Sequence, residues 1–384
     1  MAKKLIKNVG LMLSGDVAHP VLDADSILLE EGLIADIGTG LTAPPQAEVL
    51  DANGSAVCPG LIDSHCHLVL GDFTPRQQMQ NFIESMLHGG VTTVVSAGEV
   101  HLPGRPIDPA GVKALAILAA KSWSNFRPAG VKVLGGAVIL EKGLTEADFD
   151  EMAREGVKVV GEIGLGSVKA PEEAATMCRW AQARGMKVMM HSGGTSIPGS
   201  SVVGADQIAI VRPDVISHIN GGPTAMSFEE ARRVIDETTA AVEIVQCGNV
   251  KRAVQVVEYL REKGEVHRLI LGNDAPSGTG VVTLGILRNI SWLASLGGLD
   301  PALAVCAATG NTAGLYGLNR GRIAPGLEAD LVFLDAPMGS AGKDLPASLA
   351  EGDTPGISII MIDGRVVAAK SRNTPPPVRK ATPA

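Results

Sequence analysis

Eight histidines occur in this chain of 384 residues, and four of them stand where they could act together. His65 and His67 form a His-x-His at the end of the first strand-like run, which opens with Gly60-Leu61-Ile62-Asp63. Side chains at i and i+2 of a strand project to the same side, so both imidazoles face one point while Cys66 faces the wall. His191 closes the run Val188-Met189-Met190, and His218 closes Val215-Ile216-Ser217. Two acids keep the same company: Glu162 lies near the end of Val157–Ile163, and Asp274 follows Leu269-Ile270-Leu271-Gly272-Asn273. Imidazole with carboxylate is a donor set for zinc, and also for iron or manganese. Six donors exceed what one tetrahedral ion needs, whereas two ions about 3.5–4 Å apart, sharing a bridging carboxylate and a hydroxide, would use them all. Any one of these histidines alone would read as a structural residue; their joint placement carries the metal reading. Glu162 has a second reading, as a loop carboxylate capping Gly164–Gly166.

The elements that must position these residues follow from period and punctuation. Between about Pro59 and Leu318, short apolar runs alternate with segments of helical period: Gly60–Asp63, Thr92–Ser96, Val131–Val138, Val157–Ile163, Lys187–Met190, Asp214–Ser217, Val242–Gln246 and Arg268–Gly272. Eight such units in about 260 residues predict a (β/α)8 TIM barrel, and all six metal-type residues fall at the C-terminal ends of its strands, where barrel active sites are built. The two ends of the chain read differently. Ser26–Leu29, Leu33–Gly38 and Glu48–Asp51 at one end, with Ala329–Leu334 and Ile357–Asp363 at the other, read as β-strands. Neither end has strands enough to bury a face alone, which predicts one discontinuous β-sandwich from residues 1–58 and 320–371 around a barrel of residues 59–319. Ala336–Gly356, rich in Gly, Pro and Ser, reads as a loop, and the Pro-rich tail 372–384 reads as disordered.

Composition narrows the function. Hydrophobic residues make up 45%, mean hydropathy is +0.21, and no stretch is long and apolar enough for a membrane span. The N-terminus lacks the apolar region of a signal peptide. A net charge of −8 with no Lys/Arg cluster argues against nucleic acid and membrane surfaces as partners. Five cysteines without a CxxC pair fit reduced thiols in a cytoplasm. Cys66, Cys178, Cys247 and Cys306 are read as small buried apolar residues. His19, His88 and His267 are read as surface residues, and His101 and Arg105 fall in a loop on the functional face.

Pro59-Gly60-Leu61-Ile62-Asp63-Ser64-His65-Cys66-His67 resembles the opening signature of the metal-dependent amidohydrolase superfamily. Gly321-Arg322-Ile323-Ala324-Pro325-Gly326-Leu327-Glu328-Ala329-Asp330-Leu331-Val332 resembles its C-terminal return into the sandwich. The resemblance spans nearly the whole chain. It implies that His65 and His67 hold the more buried of two divalent metal ions, His191 and His218 the more exposed, with zinc as the metal and iron as an option at one site. Asp274 would be both ligand and proton shuttle. Many members bridge their metals with a carboxylated lysine; this sequence places Glu162 there instead. Overall similarity is greatest to the superfamily's cyclic amide hydrolases, which implies a small anionic lactam as substrate and a homotetrameric assembly. Arg105, Thr195 and Asn220 are then the expected contacts to that substrate. Dihydroorotase and dihydropyrimidinase types, isoaspartyl dipeptidases and deaminases are the rival readings.

Overall fold

A computed structural model of the chain describes residues 3–98, 100, 102–276 and 280–383. Its centre is a (β/α)8 barrel. The parallel strands are β1 (Leu61–Cys66), β2 (Val91–Ser96), β3 (Lys132–Leu134), β4 (Val159–Ile163), β5 (Lys187–Met190), β6 (Val215–Ile216), β7 (Ala241–Val245) and β8 (Leu269–Gly272). They form arcs of three and five strands. Parallel bridges between Val138 and Val160, and between Cys66 and Ala275, close the two seams. Helices follow the strands with clear start signals: Asp108, Ser227 and Asn249 each accept a hydrogen bond from a backbone N–H in the first turn of theirs. Inside the barrel, Ile62, Val95, Val159, Met189, Val215 and Ile270 pack into one layer beneath the site, and Ala313 of the helix Gly310–Tyr316 joins them.

Third-strand pairing is shorter than the apolar run Val131–Val138 suggests. Gly135 sits where a Cβ would lie 2.2 Å from Trp123, and Gly136 has φ +81, so the chain bends over the helix Pro109–Asn125 before re-pairing at Val138.

The two chain ends meet in two sheets. One has the order Thr382–Pro383, Glu48–Asp51, Lys3–Lys7, Ser26–Glu30, Leu33–Gly38; the other Arg365–Ala368, Gly356–Ile362, Leu331–Asp335, Ala56–Pro59, Leu11–Leu13, Val21–Leu22. Ile6, Ile27, Leu29 and Leu50 of the first pack against Val57, Leu331, Phe333, Ile359 and Met361 of the second. Side chains of opposite parity on the second sheet, Ala56, Cys58, Val332 and Leu334, join the barrel's own core. That double burial explains why Leu331–Leu334 reads as a continuous apolar run rather than an alternating one.

Two expectations are corrected. The segment 336–356 is not only loop: Asp344 caps a short helix, Leu345–Ala350, and Ser291 ties the following chain down through the Asp353 carbonyl. The tail is ordered. Thr382–Pro383 adds a strand beside Glu48–Asp51, Arg379 grips the buried Asp335 carboxylate at 2.6 and 2.7 Å, and the Arg372 N–H donates to Nδ1 of His88, which is half-buried rather than on the open surface. Proline cannot form a core by itself, but here specific polar contacts outside the Pro run hold it.

Lys132, at the start of β3, is the polar lock between barrel and sandwich. Its ammonium lies 2.6 Å from Glu328, 2.8 Å from Asp330 and 2.7 Å from Asp363, and only 5% of its side chain is exposed. Burial pushes the Asp330 carboxyl up, opposed by Lys132. Removing one partner of a buried pair strands the others, so Lys132→Ala is expected to lower the unfolding free energy by about 3–5 kcal/mol. Arg127→Ala, at the half-exposed pair with Asp363, should change it by no more than about 1 kcal/mol. Urea unfolding of both variants measures the contrast.

Candidate metal centre

All six metal-type residues of the sequence meet at the C-terminal mouth of the barrel. His65, His67 and Asp274 present donor atoms within 4.8 Å of one another, and so do Glu162, His191 and His218. Glu162 joins the two groups. Its Oε2 lies 3.6 Å from Nε2 of both His65 and His67, while Oε1 lies 2.6 Å from Nε2 of His218 and 4.0 Å from Nδ1 of His191. The carboxylate does not cap Gly164–Gly166; Glu141 instead accepts from the Ser167 N–H in that loop.

These spacings fit metal binding. Donors around a tetrahedral ion with bonds of about 2.1 Å lie about 3.4 Å apart. Asp274 Oδ1 is 3.6 Å from His65 Nε2 and 3.2 Å from His67 Nε2, and His191 Nδ1 is 3.2 Å from His218 Nε2. His65 Nε2 is buried with no hydrogen-bond partner among the described residues, a costly state unless a cation answers it.

Outer partners select which ring nitrogen is available. Nδ1 of His65 pairs with Glu243 Oε2 at 2.7 Å, Nδ1 of His67 donates to the Gly98 carbonyl at 2.6 Å, and Nε2 of His191 donates to the Gly194 carbonyl at 2.7 Å. The opposite nitrogen in each ring is thereby left with its lone pair toward the centre. Glu243, fully buried on β7, also accepts from Ser64 Oγ. Asp63 accepts from the backbone of His65 and from both nitrogens of Asn273, fixing the end of β1 to the residue before Asp274; burial pushes its carboxyl up to about 6 against those bonds. Gly272 permits this closeness, since a Cβ there would lie 2.7 Å from that of His65.

Backbone and charge are both perturbed at the centre. His218 and Asp274 have φ 33 and φ 53, left-handed values that are uncommon for residues other than glycine and tend to gather at functional sites. Burial opposes a charged His65, but the carboxylates of Glu243 and Glu162 outweigh it and raise the imidazole well above its ordinary value. Burial likewise opposes a charged Glu162, yet His218 and His65 hold it well below the usual carboxylate range.

The centre opens at Asp274. The side chain of Asp274 is 17% exposed, whereas the histidines and Glu162 are 5% or less. It faces a cavity of about 410 Å³ lined also by Arg76, Leu165, Thr195, Thr224 and Cys247. That volume suits a small molecule. A larger cleft of about 1020 Å³, where Lys4 and Glu48 of the sandwich approach Arg127, contains none of the site residues.

The expected substrate contacts separate. Thr195 lines the cavity. Asn220 does not: its amide oxygen accepts from the Val245 N–H and its amide nitrogen donates to the Val245 carbonyl, so both polar atoms serve the joint between β6 and β7. Arg105 is turned away as well, held 2.9 Å from the buried carboxylate of Glu141. Cys247 is half-buried rather than a packed apolar residue, and its thiol donates to Asp274 Oδ2 at 3.1 Å. His101 lies outside the described residues. Sequence reasoning missed Glu243, although a lone acid inside Ala241-Val242-Glu243-Ile244-Val245 is a signal, since an unpaired buried carboxylate is rarely tolerated.

Comparison with known proteins points the same way. Residues 56–208 and 231–367 match the amidohydrolase family. The chain is 58% identical over 383 residues to the enamidase of Eubacterium barkeri, covering 99% of each. It is 28% identical to an adenine deaminase of a Ruegeria species, covering 91% of this chain and 54% of that protein. A crystal structure of enamidase superposes with a TM-score of 0.98 at 58% identity over 100% of both chains. A β-aspartyl dipeptidase of Fervidobacterium islandicum AW-1 shares the fold, with a TM-score of 0.68 at 18% identity over 96% of this chain and 97% of that one.

Glu243→Gln keeps the size of the side chain but removes the charge behind His65. It is expected to weaken metal binding about 10–100-fold, measured by competition with a chromogenic chelator. The melting temperature of the metal-free protein should fall, because the buried imidazole of His65 loses the carboxylate it pairs with.

Proposed function

This chain belongs to the amidohydrolase family, and within it we propose that the protein is an enamidase, a hydrolase that opens the lactam 6-oxo-1,4,5,6-tetrahydronicotinate. The products are 2-formylglutarate and ammonia, a step in nicotinate breakdown. Full-length similarity to enamidase, at 58% identity, is the observation that carries this reading. We read the enzyme as a cytoplasmic homotetramer, and the centre as holding two divalent ions, with His65, His67 and Asp274 on one, His191 and His218 on the other, and Glu162 between them. Zinc fits these nitrogen and oxygen donors at both positions, and iron fits at one.

Bound divalent ions at such a centre lower the pKa of water and act as Lewis acids toward a carbonyl oxygen. The chain supplies the rest. Asp274 stands at the opening of the centre, with Oδ1 toward the imidazoles and Oδ2 toward Cys247 and the cavity. In that position it takes the proton of the attacking water and passes it to the ring nitrogen as the C–N bond breaks, as general base and then general acid. Departure is eased because the nitrogen leaves as an enamine conjugated with the substrate's carboxylate, which spreads its electron density. The freed enamine tautomerises to an imine, and a second water converts that imine to aldehyde and ammonia without help from a side chain.

Ammonia release and loss of the ring chromophore should be seen with this lactam well above any activity on dihydroorotate, dihydrouracil, adenine or a β-aspartyl dipeptide. Chelation should remove the activity and added zinc or ferrous ion restore it. Asp274→Asn should lower kcat by at least about 10²–10⁴-fold. Wild-type protein fully loaded with metal yet inactive on the lactam would refute the substrate, and near-normal turnover in Asp274→Asn would refute the proton route.

A further inference from the structure

The substrate in the reading above carries a carboxylate across the ring from the carbonyl that is attacked. With the carbonyl at the imidazoles, that carboxylate must point away from Glu162 and Asp274, whose charges would repel it, and toward the cavity rim. We propose that Arg76 receives it and sets the preference for an anionic lactam; this rests on the functional reading above.

Three observations lead to Arg76. Among the described residues lining the cavity, it is the only one with a permanent positive charge. It is exposed, which places it at the rim rather than beside the buried centre. The cation favoured by the sequence, Arg105, lies outside this cavity.

The hairpin that bears Arg76 is fixed to the barrel. It pairs Phe73–Thr74 with Met79–Gln80 in the loop after β1. At its base, Asp72 accepts hydrogen bonds from the N–H groups of Ile83 and Glu84, at the start of the helix Phe82–Leu87. At its tip, the Gln77 N–H donates to the buried Thr74 Oγ1 at 3.1 Å, closing the turn around Arg76. A guanidinium on a pinned turn presents its planar fork with less entropy to lose, and a carboxylate matches that fork with two parallel bonds.

The test compares the carboxylate lactam with its neutral carboxamide, in wild-type enzyme, Arg76→Ala and Arg76→Lys. Arg76→Ala should raise KM for the carboxylate about 10–100-fold, the range for a hydrogen bond to a charged group. It should leave kcat/KM on the carboxamide unchanged, so the wild-type preference for the anion disappears. Arg76→Lys should fall between, keeping the charge without the fork. The aromatic 2-pyridone-5-carboxylate, which is not hydrolysed, should lose affinity in Arg76→Ala by the same factor in a calorimetric titration. Equal losses on both lactams, or an unchanged KM for the carboxylate, would overturn the role of Arg76 while lactam hydrolysis stands. Wild-type enzyme inactive on both lactams would overturn the functional reading and this proposal with it.

Discussion

A single carboxylate facing two pairs of imidazoles at once is the constraint under which the rest of this molecule is arranged. Glu162 can do so only from near the axis of a closed barrel, with His65 and His67 arriving from one strand and His191 and His218 from two others. Donors collected from separate strands must be held to within a few tenths of an ångström, and strand ends in a hydrogen-bonded cylinder provide that rigidity more readily than loops. The energetic difficulty lies in burial. Four imidazoles and two acids gathered out of water repel and desolvate one another, and that cost is offset in part because the outward nitrogens of His65, His67 and His191 each have a partner of their own.

Much of the surrounding structure serves that requirement. Glu243 and the carbonyls of Gly98 and Gly194 hold three rings in one tautomer and one orientation. Asp63 and Asn273 tie the first strand to the last where Asp274 emerges. Farther out, the six-stranded sheet of the sandwich is buried on both faces, and Lys132 gathers three acids at the same junction. The sandwich thus contributes rigidity at the base of the barrel rather than chemistry at its mouth.

What could be seen in the sequence follows the same division. The His-x-His was legible because a strand has a period of two, and Glu162, His191, His218 and Asp274 because each ends an apolar run. The barrel itself was legible in the repeated β-then-α rhythm. Contacts made across the fold were not. Asn220 sits beside His218 in sequence but spends both amide atoms on Val245, and Arg105 lies in a site-facing loop but meets Glu141 from another. Arg76 stands in a polar loop with no local mark of its place over the cavity. The tail misled because composition reports on chain stiffness and says nothing of a salt bridge such as Arg379 with Asp335. Local patterns show which residues a strand delivers, whereas long-range partners decide which of them remain available to a ligand.

Anomalous diffraction from crystals of the metal-loaded enzyme, recorded at the zinc and iron edges, tests the central claim most directly. The account predicts two metal peaks about 3.5–4 Å apart, with one oxygen of Glu162 on each, His65 and His67 on the first and His191 and His218 on the second. A single peak, or two peaks with Glu162 bound to neither or to one alone, would contradict it.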